Sequence, residues 1–215
     1  MELDKIKQVA EERLKNSRSH VWKELGNKYY HGERVARLAL ELRRRVIPGD
    51  DSHDDILTAA AWLHDIANGL SSDHAAEGAR LVRRLILDFC TPQELDGICS
   101  IISVHDDRSE RRHDYSVWVK LHQDADHLDH FGSYDVWMVS LWTLQNGGSV
   151  LDAADYLTRI RSSEMPRYRA ELNFELSRRI FDEKAEYQFN FGRRLLIEGA
   201  GDIFVSDKLT DAENL

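Results

Sequence analysis

The sequence predicts an all-α protein, and three observations support this fold class. Apolar residues recur three and four positions apart along nearly the whole chain, which is the spacing of an amphipathic helix. No segment shows the sustained alternation of apolar and polar residues that indicates a half-buried strand. The 215 residues include only three prolines, so few positions are barred from a helix interior. The length suits one helical bundle with a C-terminal helical extension.

Chemical signals set the ends of several predicted helices. Pro48 ends one of them, and Thr91-Pro92 begins another, because threonine caps a helix and proline suits its first turn. Glu94 completes a capping box with Thr91. Pro166 is expected to break a long C-terminal helix. The predicted helices lie near residues 3–16, 20–28, 31–46, 53–68, 73–89, 92–105, 114–130, 134–145, 150–162 and 167–198.

The predicted domain covers residues 1–200. Its bundle core lies at about residues 25–150, and C-terminal helices follow at about 150–200. Residues 201–215 are expected to form a loose tail. The tryptophans in helical apolar patterns are expected to belong to the core; they are Trp62, Trp118, Trp137 and Trp142.

Composition narrows the class of partner. The hydrophobic content of 42% is sufficient for a core, and the formal net charge of −9 argues against a nucleic-acid polymer as partner. A small anionic substrate remains compatible with this charge, because a bound divalent cation reverses the sign locally. The apolar surface expected after Ser133 exceeds what a single-layer extension needs, which allows a homo-oligomer.

Cysteine usage and hydropathy indicate the compartment. Cys90 and Cys99 lie in apolar or helix-like segments, and we expect both to be buried free thiols in a reducing cytoplasm. The first residues lack the apolar segment of a signal peptide. The longest apolar run, residues 56–63, is too short to span a bilayer. We therefore expect a cytoplasmic protein without a membrane partner.

Four of the ten histidines lie in phase with an apolar helix face. His64 and His105 each follow apolar residues three, four and seven positions earlier. His31 and His74 precede apolar or small residues four, seven and eleven positions later. These spacings place the four side chains on the faces that their helices bury. His122 is ambiguous by this criterion, and no role is assigned to the histidines expected in loops or on helix surfaces, which are His20, His53, His113, His127 and His130.

Two acidic residues join the inward histidines. Asp65 follows His64 within an apolar run, and Asp126 lies in another helical pattern. A buried carboxylate is costly unless it is paired or bound to a metal. Imidazole with carboxylate ligands suits Mn, Fe, Co, Ni or Zn, whereas Mg fits less well. The pattern therefore predicts a divalent metal centre, with a purely structural polar network as the alternative.

The order of these residues resembles that of the HD superfamily of metal-dependent phosphohydrolases. His31 comes first, with Arg34 and Val35 in the flanking motif, then the His64-Asp65 pair in its helix, then Asp126 in a late aspartate motif. The resemblance covers about residues 25–150 and extends to small stand-alone bacterial members. It implies that one divalent metal is bound by His31, His64, Asp65 and Asp126.

The resemblance also implies an activity, the hydrolysis of a phosphate ester or anhydride, with a nucleotide as the favoured substrate. A divalent ion lowers the pKa of bound water towards 7, and the resulting hydroxide can attack phosphorus. His74 and His105 resemble two additional histidines of some members, which contact substrate phosphates, act as an acid or bind a second metal. Asn68 and Gly69 replace the Glu-Asp pair of branches that hydrolyse stringent-response nucleotides, so that activity is not expected.

Three further interpretations remain open. The arginines after His105, which are Arg108, Arg111 and Arg112, either clamp phosphates or belong to a solvated loop. The six candidate ligands also occur in the order found in di-iron HD-type oxygenases. A non-catalytic, metal-stabilised nucleotide-binding module is the third alternative, because fold alone does not determine function.

Overall fold

The computed structural model describes residues 1–18, 24–69 and 72–203. These residues form helices and no strand, which confirms the all-α prediction. β pairing among them is limited to isolated bridges, such as that between Arg18 and Leu25. Of the predicted helix at 20–28, residues 20–23 lie outside the described residues, residues 24–26 are not helical, and the next helix begins at Asn27. The predicted tail at 201–215 lies outside them from residue 204 onward. No helix in the described ranges has both the length and the apolar composition needed to cross a bilayer.

The helices are numbered along the chain. They are α1 (Leu3–Ala10), α2 (Asn27–Val46), α3 (Asp54–Leu63), α4 (His74–Ile86), α5 (Pro92–Ile102), α6 (Val117–Asp129), α7 (Ser133–Gln145), α8 (Val150–Asp155), α9 (Arg161–Ala170) and α10 (Glu175–Gly199). Wider π-type turns follow α1 and α8, and a short 3₁₀ helix precedes α6. The chain forms two compact units: residues 1–130 with 169–181, and residues 131–168 with 182 onward.

The first unit is built around α2, which packs against α3 and α6, while α5 packs against α3 and α4. Its fully buried side chains include Leu57, Leu63 and Ile98. Gly32 allows a close approach between α2 and α3, because a Cβ atom there would lie 2.8 Å from the carbonyl oxygen of Ala61. This contact brings two candidate ligand segments together.

Helix α3 is shorter than predicted. It ends at Leu63 instead of continuing to residue 68, and the chain turns through residues 64–69. The His64 ring hydrogen-bonds the Ala61 carbonyl, and backbone bonds from Ile66 to Leu63 and from Asn68 to Asp65 tighten the chain into turns. His64 and Asp65 consequently lie at a helix terminus, where their side chains are not confined to one helical face.

The N-terminal signal of α5 is confirmed. The Thr91 hydroxyl accepts a hydrogen bond from the Glu94 backbone, and the Glu94 carboxylate accepts one from the Thr91 backbone. Pro92 occupies the first turn, where its missing N–H costs nothing. The cap fixes the start of the helix that leads to His105.

The predicted helix break at Pro166 is wrong, because this proline lies inside α9. One proline removes a single hydrogen bond, so a helix can continue past it with a kink. The interruption comes instead at residues 171–174. There the backbone N–H groups of Asn173 and Phe174 donate to the buried Asp124 carboxylate at 2.8 and 3.0 Å. Asp124 therefore caps the chain that enters α10.

The second unit has a small core around Val136, Val139, Ala153 and Leu157. Gln188 strengthens it by accepting a hydrogen bond from the Gly132 backbone and donating one to Asp135. The expectation of a core position is wrong for Trp137 and Trp142, which are exposed. They lie on the outer side of α7, whose inward positions are taken by the valines and Met138.

Candidate metal centre

Three segments of the first unit bring histidine and aspartate side chains to one buried point. His31 comes from α2, His64 and Asp65 from the turn after α3, and Asp126 from α6. The His31 Nε2 atom lies 3.1 Å from Asp126 Oδ1 and 3.2 Å from His64 Nε2. His64 Nε2 lies 3.6 Å from Asp126 Oδ1 and 3.8 Å from Asp65 Oδ2. The four predicted metal-site residues thus lie together.

These separations suit a common cation. Zn–N and Zn–O bonds of about 2.0–2.2 Å place neighbouring ligand atoms roughly 3–4 Å apart. The ligand atoms of His31, His64 and Asp65 all lie within 4.8 Å of one another. Nitrogen and carboxylate oxygen form the donor set, which suits a divalent transition metal. The residues present therefore fit such an ion.

The outer ring nitrogens are held by acceptors. His64 Nδ1 donates to the Ala61 carbonyl oxygen at 2.8 Å, which leaves the lone pair on Nε2. His31 Nδ1 is 2.8 Å from Asp129 Oδ2, and Arg34 forms a two-point ion pair with the same carboxylate. Metal-binding histidines commonly have such an outer hydrogen bond, which fixes the ring and raises its basicity.

Burial and charge set the protonation states. Burial disfavours a charged His31, but hydrogen bonds to Asp126 and Asp129 outweigh it and raise the His31 pKa to about 9. Burial lowers the pKa of His64 to about 4. Burial favours the neutral form of Asp65, yet His64 and Lys28 hold its pKa well below the usual range. The acids are therefore ionised at neutral pH.

The two predicted catalytic histidines adjoin this group. His74 is the first residue of α4, and its Nε2 lies 3.3 Å from His105 Nε2 and 3.9 Å from Asp65 Oδ1. His105 Nδ1 donates to the Ile102 carbonyl oxygen at 2.8 Å, so its Nε2 faces His74. Asp65 lies between the two groups, since its other oxygen faces His64.

Several residues without a predicted role also lie beside the centre. His122 is fully buried, with its ring centroid 5.2 Å from that of His64, and neither ring nitrogen hydrogen-bonds another described residue. His130 Nε2 lies 3.6 Å from Asp126 Oδ1. Both histidines are four positions from Asp126, and this one-turn spacing was the available signal. Lys28 Nζ is 2.5 Å from Asp65 Oδ2.

Only one of the three loop arginines lies beside the centre. Arg108 Nη2 is 3.7 Å from Asp126 Oδ2, and its Nη1 donates to the His105 carbonyl oxygen at 2.7 Å. Arg111 pairs with Asp107, and Arg112 donates to backbone carbonyls of Arg108 and Ala170. Arg108 therefore connects the loop to the site, whereas the other two hold the loop itself.

The helical fold and this His/Asp cluster are typical of an HD domain. The HD domain family model matches residues 29–130, so this part of the chain is an HD domain. The bifunctional uridylyltransferase/uridylyl-removing enzyme of Neisseria gonorrhoeae is 35% identical over 78 residues. That match covers 33% of this chain and 9% of the enzyme, so the chain spans about a tenth of that relative's length.

Solved structures share the fold over most of the chain. An HD-superfamily hydrolase from Bacillus thuringiensis has a TM-score of 0.69 and 19% identity, with 92% of this chain and 96% of that chain covered. Bacillus subtilis YpgQ in complex with ADP has a TM-score of 0.62 and 18% identity, with 90% and 95% covered. At these identities the likeness shows the HD-superfamily hydrolase fold.

Proposed function

We propose that this protein is a metal-dependent phosphohydrolase that cleaves a phosphate ester or anhydride of a nucleotide. The observation that carries the proposal is the convergence of two imidazole Nε2 atoms on carboxylate oxygens of Asp126 and Asp65, 3.1–3.8 Å away, with both outer ring nitrogens already held. A structural polar network pairs these two nitrogens, 3.2 Å apart, only if a protonated His31 donates to His64. A shared cation would instead bind both rings in their neutral form.

The ion would be held by His31, His64, Asp65 and Asp126. The share of imidazole among these ligands favours Mn, Fe, Co, Ni or Zn over Mg. Such an ion, when bound, supplies a water of lowered pKa as nucleophile and withdraws charge from a phosphoryl oxygen. The surrounding residues bind and orient the substrate.

Cationic and neutral donors surround the ligand cluster. The Lys28 ammonium lies beside Asp65 and the Arg108 guanidinium beside Asp126, so both can donate to phosphoryl oxygens next to the metal. His74 and His105 are assigned to substrate phosphate contact, and either imidazole, if protonated, would be placed to give its proton to the leaving oxygen. His74 also opens α4, whose N-terminal N–H groups favour an anion.

Two similar proteins support the choice of a nucleotide as the proposed substrate. YpgQ, which shares the fold, is described in complex with ADP. The Neisseria enzyme that matches part of the chain has a uridylyl-removing activity in its name. Removal of a uridylyl group breaks a bond to phosphorus, which is the chemistry proposed for this centre.

One observation favours a second candidate, a di-iron oxygenase. Asp65, His74 and His105 form another group whose ligand atoms lie within 4.8 Å of one another. Asp65 would then bridge two ions. The two functions differ in their consumption of dioxygen, which the hydrolase does not need.

The test is a turnover screen with metal-stripped protein. Mn, Fe, Co, Ni, Zn and Mg are restored singly, and nucleoside mono-, di- and triphosphates and p-nitrophenyl phosphates are supplied. Released phosphate and pyrophosphate are measured separately, together with dioxygen uptake. We expect metal-dependent hydrolysis that Asp65→Ala abolishes and that Asp88→Ala, at an exposed acid, preserves. Metal-loaded protein without turnover would contradict the proposal, and iron-dependent dioxygen uptake would favour the oxygenase.

A further inference from the structure

A third imidazole reaches the carboxylate oxygen at the middle of the candidate metal centre. His130 caps the C-terminus of α6, one turn after Asp126, and its Nε2 lies 3.6 Å from Asp126 Oδ1. The same oxygen lies 3.1 Å from His31 Nε2 and 3.6 Å from His64 Nε2. Three imidazole nitrogens from three segments therefore converge on a single oxygen.

The positions of these rings satisfy the geometry of a shared ion. The ligand atoms of His31, Asp126 and His130 lie within 4.8 Å of one another. The His31 and His130 rings lie 4.9 Å apart between centroids and are tilted by 43°, so they are not stacked. Ligands of one transition-metal ion have separations of this size, since each bond is about 2.0–2.2 Å long.

We propose that His130 is a further ligand of the metal, in addition to the four that define the HD-type centre. This inference depends on the proposed metal centre and deepens it. The other four side chains are buried, whereas the His130 side chain is 51% exposed. His130 would thus reach the ion from the solvent side.

The added ligand changes the expected metal preference. Three imidazoles and two carboxylates form a donor set that magnesium tolerates poorly, because Mg²⁺ prefers oxygen ligands and retains waters. Cobalt, nickel, zinc and ferrous iron accept such a set. We expect that loss of His130 weakens Co²⁺ binding by about tenfold or more, by comparison with changes around other metal sites.

The experiment counts nitrogen ligands directly. Metal-stripped full-length protein is loaded with Co²⁺ or Zn²⁺, and X-ray absorption at the metal edge measures the number of bound imidazoles. Three in the wild type and two in His130→Ala are expected. His130→Gln is measured in parallel as a polar replacement, and the wild-type count does not depend on the folding of either variant. A count of two in the wild type would overturn the inference.

A Co²⁺ titration gives a second readout. Visible absorption of bound Co²⁺ reports the ligand set, and the titration gives the affinity. His130→Ala should change both, while His113→Ala, which removes an exposed histidine of the 3₁₀ helix, should change neither. If His130→Ala binds Co²⁺ as the wild type does, the assignment of His130 as a ligand is overturned. The metal centre itself stands if Asp65→Ala still fails to bind the metal. Failure of the wild type to bind any metal would overturn both.

Discussion

Asp129 shows how a residue outside the candidate ligand set can control it. Its carboxylate accepts from His31 Nδ1 at 2.8 Å and from the Arg34 guanidinium at 2.8 and 2.9 Å. Burial opposes ionisation of Asp129, but the hydrogen bonds from His31 and Arg34 lower its pKa to about 2. The carboxylate is thus charged at neutral pH and holds the imidazole in one orientation.

Replacement of this acid should weaken the metal site without removing a ligand. We expect Asp129→Asn to weaken metal binding by about 10–100-fold, because changes to the outer partner of a ligating histidine have effects of this size. Isothermal titration of metal-stripped protein measures the change. Asp96→Asn, at an exposed acid paired with Arg83, is the control and should bind as the wild type does. Unchanged affinity in Asp129→Asn would show that His31 is oriented by other contacts.

Replacement of Lys28 is expected to separate the effects on metal binding from those on substrate binding. Its ammonium competes with a cation for Asp65, so Lys28→Met should bind metal at least as tightly as the wild type. The same change removes a donor to phosphate, and hydrogen bonds to charged groups contribute about 1.5–3 kcal/mol, or roughly ten- to a hundredfold in kcat/KM. Metal titration and steady-state kinetics are compared, with Lys5→Met as an exposed control. If Lys28→Met weakened metal binding and lowered kcat/KM by the same factor, the assignment of Lys28 to phosphate binding would be contradicted.

Among single residues, the sequence identifies those whose burial follows from helix phase, that is, from the side of the helix on which they are predicted to lie. His31, His64, Asp65 and Asp126 could be selected because the apolar spacing around them predicts buried helix faces, and the structure brings them together. His64 and Asp65 nevertheless lie in the turn after α3, and the role of all four as ligands remains a prediction. Asp129 and Lys28 could not be selected in this way, and the one signal for His130 was its one-turn spacing from Asp126. Their proximity depends on how α2, α6 and the turn after α3 meet in space. Helix phase describes the sides of a single helix and does not predict contacts between segments.

At the scale of elements, the crossing of α2 and α3 controls the distance between His31 and His64. We expect Gly32→Ala to push the helices apart, because its new Cβ would lie 2.8 Å from the Ala61 carbonyl, which is backbone and cannot rotate away. Overpacking of this kind costs about 1–3 kcal/mol. Gly49→Ala is the matched control, since no atom lies within 4 Å of its added Cβ. Denaturant unfolding and metal titration should both detect the difference, and equal stability of the two variants would contradict the argument.

The capping box of α5 makes a separate prediction. Thr91→Ala should lower the free energy of unfolding by about 1 kcal/mol, because it removes the side-chain acceptor for a free helix N–H group. Thr91→Ser retains that acceptor and should remain close to the wild type. Urea unfolding monitored by circular dichroism measures both variants. A wild-type midpoint for Thr91→Ala would mean that tertiary packing alone fixes this helix start.

The predicted helix ends differ in accuracy for a physical reason. The start of α5 depends on residues 91–94, so local sequence was sufficient. The break before α10 depends on hydrogen bonds from Asn173 and Phe174 to Asp124 of α6, which lies 49 and 50 residues earlier in the chain. A proline was the visible signal, but a distant carboxylate sets the position of the break.

For the whole molecule, the all-α class could be predicted because apolar spacing is repeated in every segment. Self-association remains a prediction. Several large apolar side chains are exposed in the second unit, among them Trp137, Trp142, Leu144 and Val150. The sequence pattern alone could not place them outside, since their helical spacing resembles that of core residues.

A metal that joins α2, the turn after α3 and α6 should stabilise the folded chain. Free metal at about 100 times its Kd adds about 2.7 kcal/mol, if the unfolded chain does not bind it. For a chain of this size that corresponds to a rise in Tm of roughly 5–10 °C. Differential scanning fluorimetry with and without chelator measures the shift. Asp65→Ala should show no metal-dependent shift, and an equal shift in this variant would place the stabilising ion elsewhere.

Three helices end at the candidate metal centre with their C-termini, which are the negative ends of their dipoles. His64 ends α3, His105 follows α5 and His130 ends α6, so the negative ends of three helix dipoles join the ionised Asp65 and Asp126. Without a cation these negative groups would oppose the binding of a polyphosphate despite the nearby Lys28 and Arg108, and a bound cation would favour it. We therefore expect compulsory-order kinetics in which the cation enters first. Excess nucleotide, by sequestering free metal in solution, should then inhibit its own hydrolysis.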